Sequence, residues 1–239
     1  MRNQPNESGL PMLPGQFEPV RVGRRLFLRY ASAAAAGGAI LASCKGEDNP
    51  TTIAPITSVD LGKDDIGILN YAYALEQLEA AFYTQVITMP YANMPDAEKT
   101  LLTDIRNHEI IHREFFKAAL GANAIAGLTP DFSSINFTDR ASVLGAAKAF
   151  EDLGVSAYNG AGPLIKDVNY LALAGKIVSV EARHAAAIRD LLNAKSADFA
   201  GDDVVTPTTG LDKADKPSVV LPTAQKYVKN TISGASLPQ

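Results

Sequence analysis

Apolar residues recur at alternating steps of three and four along four stretches of the chain, the spacing of one face of an α-helix. The first stretch, 64–88, is stopped by Pro90 and carries the stripe Ile66, Leu69, Tyr73, Glu76, Ala80, Tyr83, Ile87. The second begins after Pro95, where Asp96 and Glu98 suit the positive end of a helix dipole, and closes at Gly121; its stripe is Leu102, Ile105, Glu109, His112, Phe116, Ala119. Residues 121–137 are rich in Gly, Pro, Ser and Asn and read as a long connection, after which Thr138 or Asp139 can cap a third helix with the stripe Leu144, Ala147, Glu151, Gly154, Tyr158. That helix breaks at 160–163. A fourth, from Asn169 to Ala194, presents Tyr170, Ala174, Ile177, Glu181, His184, Ile188 and Leu191 on one side. The pattern predicts an all-α domain over 61–195, a four-helix bundle with a long crossover between its second and third helices.

Each stripe holds a glutamate at its centre, and the two halves repeat one formula. A Glu is followed seven residues later by a Tyr (Glu76 and Tyr83, Glu151 and Tyr158), and then comes Glu-x-x-His (Glu109 to His112, Glu181 to His184). Positions three and seven apart share a helix face, so each Glu-x-x-His presents a carboxylate and an imidazole together. One such pair has the spacing of an ordinary exposed helical contact. Here two of the chain's three His carry it, both at the centre of an apolar stripe.

Four carboxylates on buried faces need positive charge, because an unpaired ionised carboxylate in an apolar interior is costly. Bound cations supply it. Carboxylate oxygens with imidazole nitrogens suit divalent iron, manganese or zinc, and the single Cys excludes an all-thiolate site or a disulfide framework.

The order Glu, Glu-x-x-His, Glu, Glu-x-x-His resembles the ferritin-like di-iron carboxylate superfamily over about 130 residues. The segments Leu75-Glu76-Gln77-Leu78-Glu79-Ala80-Ala81-Phe82-Tyr83 and Ser179-Val180-Glu181-Ala182-Arg183-His184 resemble, more narrowly, its secreted, desiccation-associated group. The resemblance implies a ferritin-like bundle holding two divalent ions, iron or manganese. The ligands would be Glu76 and Glu151 from the first and third helices, and Glu109, His112, Glu181 and His184 from the second and fourth. Tyr83 and Tyr158 would orient carboxylates through their hydroxyls. Gly154 departs from the pattern: it stands where rubrerythrin-like peroxidases carry an additional carboxylate, and a Cys-rich rubredoxin module is lacking. Of the remaining polar residues, His108 reads as a surface or helix-interface residue. Glu79, Asp104, Glu114 and Asp152 read as solvated, with Glu79 within reach of the site's edge.

The N-terminus reads as an address. Arg24 and Arg25, in Arg24-Arg25-Leu26-Phe27-Leu28-Arg29, resemble the twin-arginine export signal, and Leu41-Ala42-Ser43-Cys44 resembles a lipobox in which Cys44 becomes lipid-modified. Residues 1–43 would then be a signal peptide, 44–60 a flexible tether, and 196–239 a C-terminal tail whose packing the sequence leaves open. A short helix is expected at 223–231. The resemblance implies a twin-arginine translocase and a lipoprotein signal peptidase as export partners, and a membrane-anchored, extracytoplasmic protein; Lys45 after Cys44 favours the outer membrane. Beyond residue 43 the chain has 17 basic and 24 acidic residues, a formal net charge of −7, which disfavours nucleic acid as a partner. The expected function is oxidoreduction of a small oxidant, dioxygen or peroxide, in protection against oxidative or drying stress. The alternative is metal sequestration, or a structural stress role without turnover.

Overall fold

The computed structural model describes residues 57–239. Its four long helices are α1 (Asp64–Thr88), α2 (Asp96–Leu120), α3 (Arg140–Ala161) and α4 (Val168–Leu192). Local chemistry sets their ends. Pro95 opens α2, with Asp96 and Glu98 in its first turn. Gly121 closes it at φ +54°, a backbone conformation that side chains with a Cβ rarely adopt. Asp139 caps α3 by accepting from the Ser142 N–H at 3.0 Å, and Asp167 caps α4 by accepting from the Asn169 N–H at 2.7 Å.

Short turns join α1 to α2 and α3 to α4, and each pair packs along its length as an antiparallel hairpin. The hairpins meet through α1 against α3 and α2 against α4. Between them runs the expected crossover, 121–139. It is not a bare loop: Phe132 and Phe137 pack onto Phe82 of α1, and Phe132 also onto Phe150 of α3. The result is an all-α four-helix bundle.

The C-terminal segment packs over the bundle. α1 is buried on two sides, and the face away from its expected stripe (Ile68, Tyr71, Leu75, Leu78) lies under Val220, Ala224, Val228 and Leu237. The short helix expected at 223–231 forms earlier, as α5 (Pro217–Ala224), because Pro217 pre-sets the first helical turn. Further on, β2 (Thr231–Ser233) pairs in parallel with β1 (Ser58–Asp60), Ser58 opposite Thr231. The last residues of the stretch expected as a tether are therefore ordered by the chain's other end.

Arg189 of α4, 2 % exposed, fastens the loop before α5: it donates to Asp152 at 2.8 and 2.7 Å and to Asp203 at 2.9 and 2.8 Å. Asp152, expected to be solvated, is thus half of a bidentate ion pair. Nearby the Asp215 N–H donates to the Ser156 carbonyl at 2.9 Å. Gly160 allows this approach, since a Cβ there would lie 2.0 Å from the Asp215 oxygen. Gly160→Ala should cost about 1–3 kcal/mol and lower Tm by roughly 2–4 °C per kcal/mol. Limited trypsin digestion should show faster cleavage after Lys213; unchanged melting and unchanged cleavage would contradict this docking.

Among the described residues no helix is long and apolar enough to cross a membrane. Arg24, Arg25 and Cys44 lie outside the described residues.

Candidate metal centre

The bundle brings Glu76, Glu109, His112, Glu151, Glu181 and His184 into one cluster. Glu76, Glu109 and Glu151 are fully buried and Glu181 is 1 % exposed. The ligand atoms fall into two groups, each within 4.8 Å: Glu76, Glu109, His112 and Glu181 form one, and Glu109, Glu151, Glu181 and His184 the other. Glu109 and Glu181 belong to both, so the two Glu-x-x-His carboxylates form the middle of the cluster.

The sequence repeat becomes an approximate spatial two-fold. His112 Nδ1 lies 2.8 Å from Glu181 Oε1 and 3.5 Å from Glu76 Oε2. His184 Nδ1 lies 2.8 Å from Glu109 Oε1 and 3.5 Å from Glu151 Oε2. Each imidazole is closest to the Glu-x-x-His carboxylate of the opposite hairpin. These distances would suit ion pairs, yet the angles at His112 Nδ1, Glu181 Oε1 and Glu109 Oε1 do not make hydrogen bonds. Glu76 Oε2, Glu109 Oε2 and Glu151 Oε2 are likewise buried without a hydrogen-bond partner. So many orphaned donor atoms in one place are the signature of lone pairs converging on a cation rather than on each other. The cluster fits a metal, and its hard oxygen and borderline nitrogen donors suit iron, manganese or zinc.

Tyr83 and Tyr158 reach this cluster, and they cross between helices. Tyr83 donates to Glu151 Oε1 at 2.5 Å, and Tyr158 donates to Glu76 Oε1. A Tyr seven residues along the same helix lies roughly 10 Å away, too far to serve the Glu of its own repeat. Antiparallel packing of α1 on α3 puts it level with the other one. Burial, reinforced by Glu151 and Glu76 respectively, pushes both phenols well above their ordinary range, so they remain hydrogen-bond donors. Each ties up one oxygen of its glutamate and leaves the other facing the cluster.

Without metal, protons carry the positive charge. Burial opposes ionisation of His112 and His184, but Glu109 and Glu181, with Glu76 for one ring and Glu151 for the other, outweigh it and hold both imidazoles at about 12. Burial raises Glu109 too, and the two imidazoliums overcome it, leaving that carboxyl at about 2. Glu151, lifted mainly by burial, stands at about 8, and Glu76 is also raised well above its ordinary value by burial and the Glu181 charge.

Two more residues belong to the neighbourhood. Glu79 is not solvated: it is 4 % exposed and lies against Gly154, where a Cβ would come within 3.0 Å of its Oε1. Burial, then the charges of Glu109 and Glu181, raise its carboxyl well above the ordinary range. The repeat held this signal, since Glu79 follows Glu76 by the three residues that separate Gly154 from Glu151. One half supplies a carboxylate and the other supplies room for it. His108 is exposed but contacts the cluster, its Nδ1 lying 2.9 Å from His184 Nε2. Asp104 and Glu114 are exposed, as expected.

A family model described as the ferritin-like domain matches residues 64–194. The chain belongs to this ferritin-like domain family. The match spans α1 to α4 and takes in all six clustered residues of the ferritin-like domain. No curated protein matched the chain.

Proposed function

We propose that this ferritin-like domain holds two divalent ions, iron or manganese, and reduces dioxygen or peroxide, as an extracytoplasmic lipoprotein that protects against oxidative or drying stress. The observation that carries it is the pair of donor groups sharing Glu109 and Glu181, with orphaned atoms in both. One group would hold an ion with Glu76 and His112, the other with Glu151 and His184. Two divalent ions held by these residues would supply the redox chemistry, the two electrons needed to convert one hydrogen peroxide and two protons to two waters, with an external electron donor restoring them.

The protein's own contribution is positioning and charge. Tyr83 and Tyr158 hold Glu151 and Glu76 by one oxygen each, so the free oxygens stay aimed into the cluster. The apolar shell of Phe82, Leu102, Ile105, Leu144 and Ile188 excludes water from one side. Location and anchoring rest on Arg24, Arg25 and Cys44, whose motifs suit export after folding and lipid attachment.

The test is to load the purified protein with iron(II) or manganese(II) and follow peroxide and dioxygen consumption. Turnover that disappears in Glu181→Ala supports the reading. Metal that raises Tm without consuming either oxidant would overturn the enzymatic reading in favour of sequestration or a structural stress role.

A further inference from the structure

The approximate two-fold of the cluster is broken at one place. Aligning Glu109 with Glu181 and His112 with His184 sets His108 opposite Val180. His108 Nδ1 lies 2.9 Å from His184 Nε2, and the two rings are within 9° of parallel with centroids 5.1 Å apart. That separation, with so short a nitrogen contact, means that ring edges rather than faces meet, in an in-plane N–H···N hydrogen bond. Among the described residues nothing bonds the corresponding Nε2 of His112, because Val180 has no polar atom to offer.

We propose that His108 is a positioning residue that makes the two metal positions inequivalent, by fixing His184 and not His112 as an Nδ1 ligand. The inference rests on the two-ion reading above. His184 turns its Nδ1 toward Glu109, Glu151 and Glu181. To ligate there, the neutral ring must keep its hydrogen on Nε2, and His108 Nδ1 accepts that hydrogen. His108 then carries its own hydrogen on Nε2. The bond to His108 thereby holds the ring of His184 in its ligating orientation, with Nδ1 facing the three carboxylates. His112 has no such partner and must be oriented by its ligand contacts alone. A hydrogen-bond partner on the remote nitrogen of a ligating His is generally worth about 10–100-fold in metal affinity. The ion beside Glu151 and His184 should accordingly bind first and more tightly.

Cobalt(II) titration of the metal-free full-length protein, followed by visible absorption and calorimetry, tests this. Wild type should show two unequal dissociation constants. His108→Ala should weaken the tighter one by about 10–100-fold and leave the other unchanged. His108→Asn, whose Oδ1 can accept from His184 Nε2, should restore it, an outcome that a purely structural role would not produce. Nitrogen-15 ring shifts of the zinc-loaded protein, in which His184 Nδ1 is the ligating atom, should show His108 as the Nε2–H tautomer. Two ions bound with equal weakening of both in His108→Ala, no weakening, or no rescue by Asn would overturn the inference while leaving the two-ion reading intact. A wild type that takes up no cobalt would overturn both.

Discussion

Glu109→Ala or Glu181→Ala should abolish binding of both ions, whereas Glu76→Ala or Glu151→Ala should abolish only one. The asymmetry follows from geometry: Glu109 and Glu181 are in both donor groups, Glu76 and Glu151 in one each. Removing a fully buried charged partner typically costs about 3–5 kcal/mol, a factor of roughly 100 to 5,000 in Kd. At Glu109 that loss falls on both positions. It also removes the carboxylate 2.8 Å from His184 Nδ1. Metal content per chain after equilibration and desalting separates the two classes of variant. Equal losses from Glu76→Ala and Glu109→Ala would contradict the shared role of Glu109 and Glu181.

The second large effect is an opposite pH dependence of stability with and without metal. His112 and His184 stand at about 12 against an ordinary 6.5, so their contribution to folding is complete below about pH 6.5 and fades as pH rises toward 12. Glu151, at about 8 against 4.5, contributes in the same sense, fully below its ordinary value and progressively less as pH rises through 8. Glu76 and Glu79 shift in the same direction. Glu109 acts oppositely: at about 2 against 4.5, its contribution is present above 4.5 and is lost as pH falls through 2. The metal-free protein should therefore melt highest near about pH 4.5, lose Tm gradually above it as the raised carboxyls ionise, and lose more as the pH is raised through 8. Metal replaces those protons, so its stabilisation should grow over the same interval. At a free ion concentration a hundred times Kd, each ion adds about 2.7 kcal/mol, roughly 5–10 °C in Tm. Scanning calorimetry of both forms from pH 5 to 9 reads this directly. A metal-free protein whose Tm rises with pH would contradict the proton inventory of the cluster.

The bundle was legible because its signal is local. Pro90, Pro95, Gly121 and Asp139 punctuate the chain, and the three-and-four stripes between them register burial residue by residue. The six clustered residues were legible for the same reason, each lying mid-stripe at a repeated spacing. What depended on the relation between helices was not. Tyr83 and Glu76 share a face of α1, but only antiparallel packing on α3 decides that Tyr83 serves Glu151. Glu79 lies one turn from Glu76 and reads as polar surface until the C-terminal segment covers that side of α1. The second apolar face of α1 (Ile68, Tyr71, Leu75, Leu78, Phe82) is present in the sequence at helical spacing, and it foretells a covering element without saying which. His108 points away from the stripe and meets His184 because α2 and α4 lie side by side at that level, which spacing along one helix does not contain.

The most direct test of the central claim is anomalous diffraction from crystals of the protein loaded with manganese(II) or iron(II). The account predicts two peaks per chain, one among Glu76, Glu109, His112 and Glu181 and one among Glu109, Glu151, Glu181 and His184. A single peak, or none within this cluster, would contradict it.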